Sequence, residues 1–240
     1  MEIYNLILKE GTVEVAYLAD LFQVTPQTIR RDFKDLSDQN LIEVGYGGAG
    51  LALNNNIELQ FQYKEKQQIR HKELICQKAV RLIKDGTVIA IDSGTTTMGM
   101  IKYLAERPLT IITDNIPLVG TIKNDCKAKI VVAGGIYDAV SAGTMGTLTT
   151  EFFNSYNVDI AFVATMGIDD EGWLSVVNPE DAGTKKALFN CAKKKILLAD
   201  ESKFSLSFLC RYQNISDFDL VISDSEERPA FLGNFQVDYL

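Results

Sequence analysis

Histidine is almost missing from this chain, and that absence excludes much chemistry. His71 is the only one among 240 residues, set between Arg70, Lys72 and Glu73 in a charged helical stretch. A solvated surface position is expected for it, and Ser-His-Asp triads and histidine-ligated metal sites lose their central residue. Cysteine is sparse too. Cys76, Cys126, Cys191 and Cys210 contain no C-x-x-C pair, so neither a metal knuckle nor a redox dithiol is expected, and all four read as reduced and mostly buried. Positive charge is in short supply: 24 Lys and Arg against 32 Asp and Glu give a net −8, which excludes a generally basic nucleic-acid coat or a polybasic membrane surface. No stretch approaches the ~18 apolar residues of a membrane span, and Met1-Glu2-Ile3-Tyr4-Asn5 lacks the basic and apolar regions of a signal peptide. The expectation is a cytoplasmic protein without a membrane partner, cofactor or metal.

What is present is enough for a sizeable core, with 46% hydrophobic residues. At ~150 residues per domain the length allows one or two domains. The glycine run 45–50 and Asn54-Asn55-Asn56 punctuate the chain. They suggest a front domain over 1–50, a linker over 51–57 and a second domain over 58–240. The front segment has 4 basic and 8 acidic residues, so it is acidic for its size.

The front segment reads as short helices. Ile3, Leu6 and Ile7 recur at helical spacing up to Gly11, and Ala16, Leu18, Ala19, Leu21 and Phe22 suggest a second helix. A tight turn at Phe22-Gln23-Val24 precedes a third, which opens on Thr25-Pro26, a hydroxyl cap before a proline. Ile29, Phe33 and Leu36 give that helix an apolar stripe, and Gln27, Thr28, Arg30, Arg31 and Lys34 lie on its other face. Two short helices and a tight turn make a helix-turn-helix whose second helix can enter a DNA major groove, with 40–45 starting a wing. A generic amphipathic helix with solvated arginines explains the spacing as well. Three cations support only modest affinity for phosphate, so DNA binding requires a dimer or tetramer.

From residue 57 the pattern changes. A long helix over about 58–84 leads into apolar runs at 87–91, 109–112, 130–133, 160–164, 196–199 and 220–222, mostly separated by helix-length segments. None alternates in and out, as expected for strands covered on both faces, and the order predicts a doubly wound α/β domain with a mostly parallel sheet. Asp92-Ser93-Gly94-Thr95-Thr96-Thr97 follows the first run and opens a helix. Backbone N–H groups and hydroxyls at such a turn suit a phosphate, although simple capping explains the same residues. Gly134-Gly135, Met166-Gly167-Ile168-Asp169 and Asp200-Glu201-Ser202-Lys203-Phe204 occupy equivalent positions after later runs, where ligands bind open α/β sheets. Lys203 is a candidate anion contact. Asn178-Pro179-Glu180-Asp181 starts a further helix, with Lys185 one turn on, as a surface cation or a ligand contact.

These motifs together resemble the DeoR family of bacterial transcriptional repressors over nearly the whole chain. Residues 24–33 resemble its recognition-helix signature, and Gly47-Gly48-Ala49 the end of its wing. Asp85-Gly86, the 92–97 segment, Gly134-Gly135, Asn178-Pro179-Glu180-Asp181 with Lys185, and Asp200 with Ser202-Lys203-Phe204 follow its effector-domain pattern in order. The resemblance implies a winged helix-turn-helix joined to a domain similar to ribose-5-phosphate isomerases, and a repressor of a sugar operon relieved by a phosphorylated sugar. It places Asp92, Ser93, Gly94, Thr95, Thr96, Thr97, Gly134, Gly135, Glu180, Lys185 and Lys203 at the effector, and Thr25, Gln27, Thr28, Arg30 and Arg31 at operator DNA; Lys34 joins them from the polar face of the third helix, and Tyr46 is either a hydrogen-bond donor to phosphate or a residue packed against the wing. Before the wing glycines the family commonly has arginine and histidine, where this chain has Val44 and Tyr46, two potential DNA contacts fewer. The rival reading is a sugar-phosphate isomerase with an added front domain, using Glu180 or Asp181 as base, for which turnover of ribose 5-phosphate is the discriminator.

Overall fold

The computed structural model describes residues 2–10, 12–39, 41–45, 47–51, 69–122, 125–139, 141–225 and 227–240. It divides into two compact units, Met1–Lys64 and Glu65–Leu240. The last strand of the first unit runs to Leu51, and the rest of the expected linker, the first part of the expected long helix and Tyr46 lie outside the described residues.

In the first unit α1 (Glu2–Glu10), β1 (Thr12–Glu14), α2 (Val15–Leu21) and α3 (Pro26–Asp38) are followed by β2 (Ile42–Val44) and β3 (Gly48–Leu51). Thr25 caps α3, its Oγ1 accepting from the Thr28 N–H at 3.2 Å, and Pro26 stands in the first turn. The turn before it is closed by the Val24 N–H donating to the Ala19 carbonyl, with Gln23 at φ 54°. Ile29, Phe33 and Leu36 bury their stripe against Ile7, Leu18 and Leu41. The three strands pair antiparallel in the order β1-β3-β2. Only glycine fits at Gly48, where a Cβ would stand 2.4 Å from the Val13 carbonyl oxygen. This is a winged helix-turn-helix.

The second unit opens with α4 (Ile69–Val80). The helix stops there rather than at 84: Leu82 and Ile83 bond back to Ala79 and Val80 in tighter turns, and Gly86 takes a left-handed φ of 82°. Then come β4 (Val88–Ile91), α5 (Thr95–Met98), α6 (Ile101–Leu104), β5 (Thr110–Thr113), α7 (Ile116–Gly120), β6 (Lys129–Val132), the strands β7 (Ile136–Asp138) and β8 (Gly143–Met145), and α8 (Thr147–Asn154). They are followed by β9 (Val158–Ala164), β10 (Gly167–Ile168), β11 (Trp173–Val176), α9 (Pro179–Asn190), β12 (Ala192–Leu198), β13 (Cys210–Asn214), β14 (Leu220–Ile222) and β15 (Asp238–Tyr239). The main sheet is seven-stranded and parallel throughout, in the order β15-β14-β12-β9-β4-β5-β6.

All six apolar runs became strands of this sheet, and side chains alternate between two cores. In β4, Ile89 and Ile91 pack with Ile75, Leu104 and Phe162, while Ala90 joins the opposite layer of Phe153, Val163 and Leu188. Burial on both faces is why no polar alternation marked these strands. Because β4 comes first and the chain then winds outward on either side of it, the strand order reverses between β4 and β9. Ligands bind open α/β sheets at the carboxyl edge beside such a reversal.

Candidate functional site

At that edge stands an ion pair. Asp92 follows β4 and Lys185 lies in α9; Nζ is 2.6 Å from Oδ2, with side chains 7% and 0% exposed for lysine and aspartate. Asp92 Oδ2 also accepts the Ala164 N–H at the end of β9, and Lys185 donates to the Ala164 carbonyl, so the pair straddles the reversal. Burial alone pulls the Lys185 ammonium down, but Asp92 and Asp181 more than offset it and carry it above its usual value. Lys185 is therefore not a surface cation. Helix phase explains this: with Asp181, Lys185 and Leu188 facing inward, Lys186 faces solvent.

The loop that follows Asp92 is held by its own side chains. Gly94 N–H donates to Asp92 Oδ1, and Thr97 Oγ1 donates to the Asp92 and Gly94 carbonyls. Asn115 Nδ2 donates to the Asp92 carbonyl as well. Gly99 and Met100 keep helical dihedrals, so α5 runs on into α6. At the start of α5 the N–H groups of Thr95, Thr96 and Thr97 have no partner within the helix. Gly143 closes over this loop, and a Cβ there would stand 2.4 Å from Ser93 Cβ. Gly143→Ala is expected to cost about 1–3 kcal/mol by overpacking, measured by urea unfolding followed through Trp173, the only tryptophan.

Three further groups at this edge escaped the sequence reading. Asp114, after β5, is buried beside Asp92 and Asp181; burial first, then those carboxylates, push it up to about 8, against the pull of Lys185. Thr184 neighbours Lys185 in α9 and is fully buried. Tyr212 of β13 donates to the Ala164 carbonyl at 3.3 Å, and burial pushes its phenol up. Asp114 could have been found by the rule that singled out Asp92, a carboxylate just past a buried strand.

Not every expected residue joins this cluster. Glu180 is exposed, its N–H bonded to the capping Asn178 side chain, while its neighbour Asp181 turns inward. Gly134 and Gly135 are exposed after β6, the Gly134 carbonyl accepting from Thr149. Lys203 lies 4.0 Å from Asp200 and is about a third exposed. His71 is not merely solvated, because its Nδ1 lies 2.5 Å from Asp224 Oδ2. Cys76 and Cys191 are buried, Cys126 and Cys210 partly so, and all four are free thiols. Among the described residues, no three His, Cys, Asp or Glu side chains are grouped to hold a metal ion, and no helix is long and apolar enough to cross a membrane.

In the first unit Gln27, Thr28, Arg30, Arg31 and Lys34 are all exposed on α3. Thr25 is bound to Thr28 through both its hydroxyl and the helix N–H. Glu43 and Val44 are exposed on β2 of the wing. A winged helix-turn-helix and a doubly wound domain with a buried polar cluster at its strand-order reversal define a DNA-binding regulator with a sensor domain.

Comparison with known proteins agrees. Residues 1–54 match the DeoR-like helix-turn-helix domain and residues 67–225 the DeoR C-terminal sensor domain. The chain is 30% identical to the glycerol-3-phosphate regulon repressor of Escherichia coli over 93% of its length and 88% of the repressor's. It is 28% identical to the HTH-type transcriptional regulator GlpR of Haloferax volcanii, over 92% of this chain and 87% of that one, and to the HTH-type transcriptional repressor GlcR of Bacillus subtilis, over 95% and 88%. Ribose 5-phosphate isomerase A of Methanocaldococcus jannaschii aligns with 55% of this chain and 53% of its own at 21% identity and a TM-score of 0.41. The chain belongs to the DeoR family of transcriptional regulators.

Proposed function

We propose that this regulator is a cytoplasmic repressor of a sugar-utilisation operon that releases its operator when a phosphorylated sugar binds the carboxyl edge of the sensor sheet, and that it is a homo-oligomer without enzymatic turnover. The observation that carries the reading is the 92–97 loop, fixed by its own hydrogen bonds beside the Asp92–Lys185 pair at the strand-order reversal. In this reading Ser93, Gly94, Thr95, Thr96 and Thr97 receive the phosphate, with Gly134, Gly135, Glu180 and Lys203 around the opening. Lys185 holds Asp92 in place and offers its third N–H to the sugar. A lysine already committed to a buried carboxylate is poorly placed to shuttle protons, which favours sensing over isomerisation. Relatives whose names specify a glycerol-3-phosphate regulon support a phosphorylated effector. Thr25, Gln27, Thr28, Arg30, Arg31, Lys34 and Tyr46 contact operator DNA, in two or more copies because one α3 carries only three cations. The effector shifts the population toward an arrangement that fits the operator less well.

The test is thermal stability of the purified protein with a panel of sugar phosphates and the matching free sugars, since a ligand of the folded state raises the unfolding temperature. One phosphorylated sugar is expected to shift it and to weaken binding to DNA from the region upstream of its own operon. Arg30→Ala should weaken that DNA binding about tenfold or more and leave the sugar-phosphate shift intact. No shift with any sugar phosphate at millimolar concentration would overturn the effector assignment.

A further inference from the structure

Among the described residues, two buried side-chain oxygens have no hydrogen-bond partner: Asp114 Oδ1 and Thr184 Oγ1. Both residues are only 1% exposed. Folded proteins rarely leave such atoms unmet. Asp114 borders the Asp92–Lys185 pair, and Thr184 directly precedes Lys185 in α9. Asp114 ends β5, and its backbone carbonyl accepts from Thr144 of β8. Thr184 is in α9, which packs on β8, and it shares a helix face with Asp181 three residues earlier. Neither oxygen is taken up by a contact within the fold, so both are free to meet the polar groups of a ligand.

Charge restricts what that partner is. Asp92 and Asp181 supply two negative charges here and Lys185 one positive, which disfavours a second anion. Asp114, pushed up to about 8 in these surroundings, is largely protonated at pH 7 and offers an O–H rather than a charge. A carboxylic acid and a threonine hydroxyl together match the hydroxyls or carbonyl of a sugar. We propose that Asp114 and Thr184 bind the uncharged, hydroxyl-bearing end of the effector and thereby set which sugar phosphate is sensed. This rests on the effector site assigned above, whose phosphate lies on the 93–97 loop.

The experiment is calorimetric titration of the full-length protein with inorganic phosphate, glycerol 3-phosphate, ribose 5-phosphate, fructose 1-phosphate and glucose 6-phosphate at pH 7 and pH 9, a range over which the four phosphate monoesters are already mostly dianionic. For the best-bound sugar phosphate, the wild type is expected to lose about tenfold in affinity between the two, as the protonated fraction of Asp114 falls. Lys185 and Tyr212, both raised, keep their protons across that window. Asp114→Asn, which keeps the shape and offers an N–H donor, should bind within about threefold of wild type at pH 7 and retain that affinity at pH 9. Thr184→Val should weaken the sugar phosphate about tenfold and leave inorganic phosphate unchanged. Unaltered sugar-phosphate affinity in Thr184→Val, equal weakening of inorganic phosphate, or a pH dependence that survives in Asp114→Asn would each overturn the assignment. If none of the four sugar phosphates binds the folded wild type, the effector site itself is wrong and this inference falls with it.

Discussion

Lys185→Met is expected to destabilise the sensor unit by about 3–5 kcal/mol, the range found when one member of a buried ion pair is removed. The methionine fills much of the space of the lysine stem, so the loss comes from electrostatics rather than from a cavity. Asp92 would keep its hydrogen bonds from Gly94 and Ala164 and lose its countercharge while fully buried. Urea unfolding followed by Trp173 fluorescence reads the sensor unit directly, because the single tryptophan stands in β11. Adding Asp92→Asn to Lys185→Met should recover much of the loss, since the second change removes the stranded charge. A loss under about 1 kcal/mol for Lys185→Met would mean that the pair is solvated.

Phe33→Ala should abolish DNA binding while leaving the sensor unit intact. Phe33 is fully buried at the centre of the first unit's core with Ile29, Leu18 and Leu41, and truncating a buried phenylalanine costs about 3–5 kcal/mol. Domains of this size rarely have more than about 3–5 kcal/mol in total, so the helix-turn-helix would be largely unfolded. Circular dichroism should show helix lost at low urea, with the Trp173 transition at its wild-type midpoint. Retained DNA affinity in this variant would show that the first unit draws its stability from more than its own core. Arg30→Ala is the contrasting case, since it removes a contact from an exposed helix face and leaves the fold alone.

How far the sequence could be read differs between elements for physical reasons. Thr25-Pro26 and the Ile29, Phe33, Leu36 stripe carry local signals of cap and period, and α3 begins and packs where they indicate. Six of the seven strands of the main sheet were legible because strands covered on both faces leave unbroken apolar runs, whereas β15, two residues long, leaves none. The small sheet β10-β11-β13 and the pair β7-β8 were not, since strands of two to five residues among glycines and aspartates carry no period. Of the site, the 92–97 loop was visible as a motif, but its partners were not. Lys185 meets Asp92 across 93 residues, and His71 meets Asp224 across 153. Only strand order creates those meetings. The choice between Glu180 and Asp181 was in reach, because the helix phase set by Leu188 turns Asp181 inward and Glu180 outward.

The seam between β4 and β9 has a consequence for how the protein comes into being. Asp92 and Ala164, which it joins, lie 72 residues apart in sequence, so the sensing site does not exist in any chain that has not yet closed that loop. Closing long loops costs entropy before the contacts repay it, and such pairings form slowly. A chain emerging during synthesis can therefore fold its helix-turn-helix from local contacts well before it can respond to anything. For that interval the DNA reader exists without its sensor.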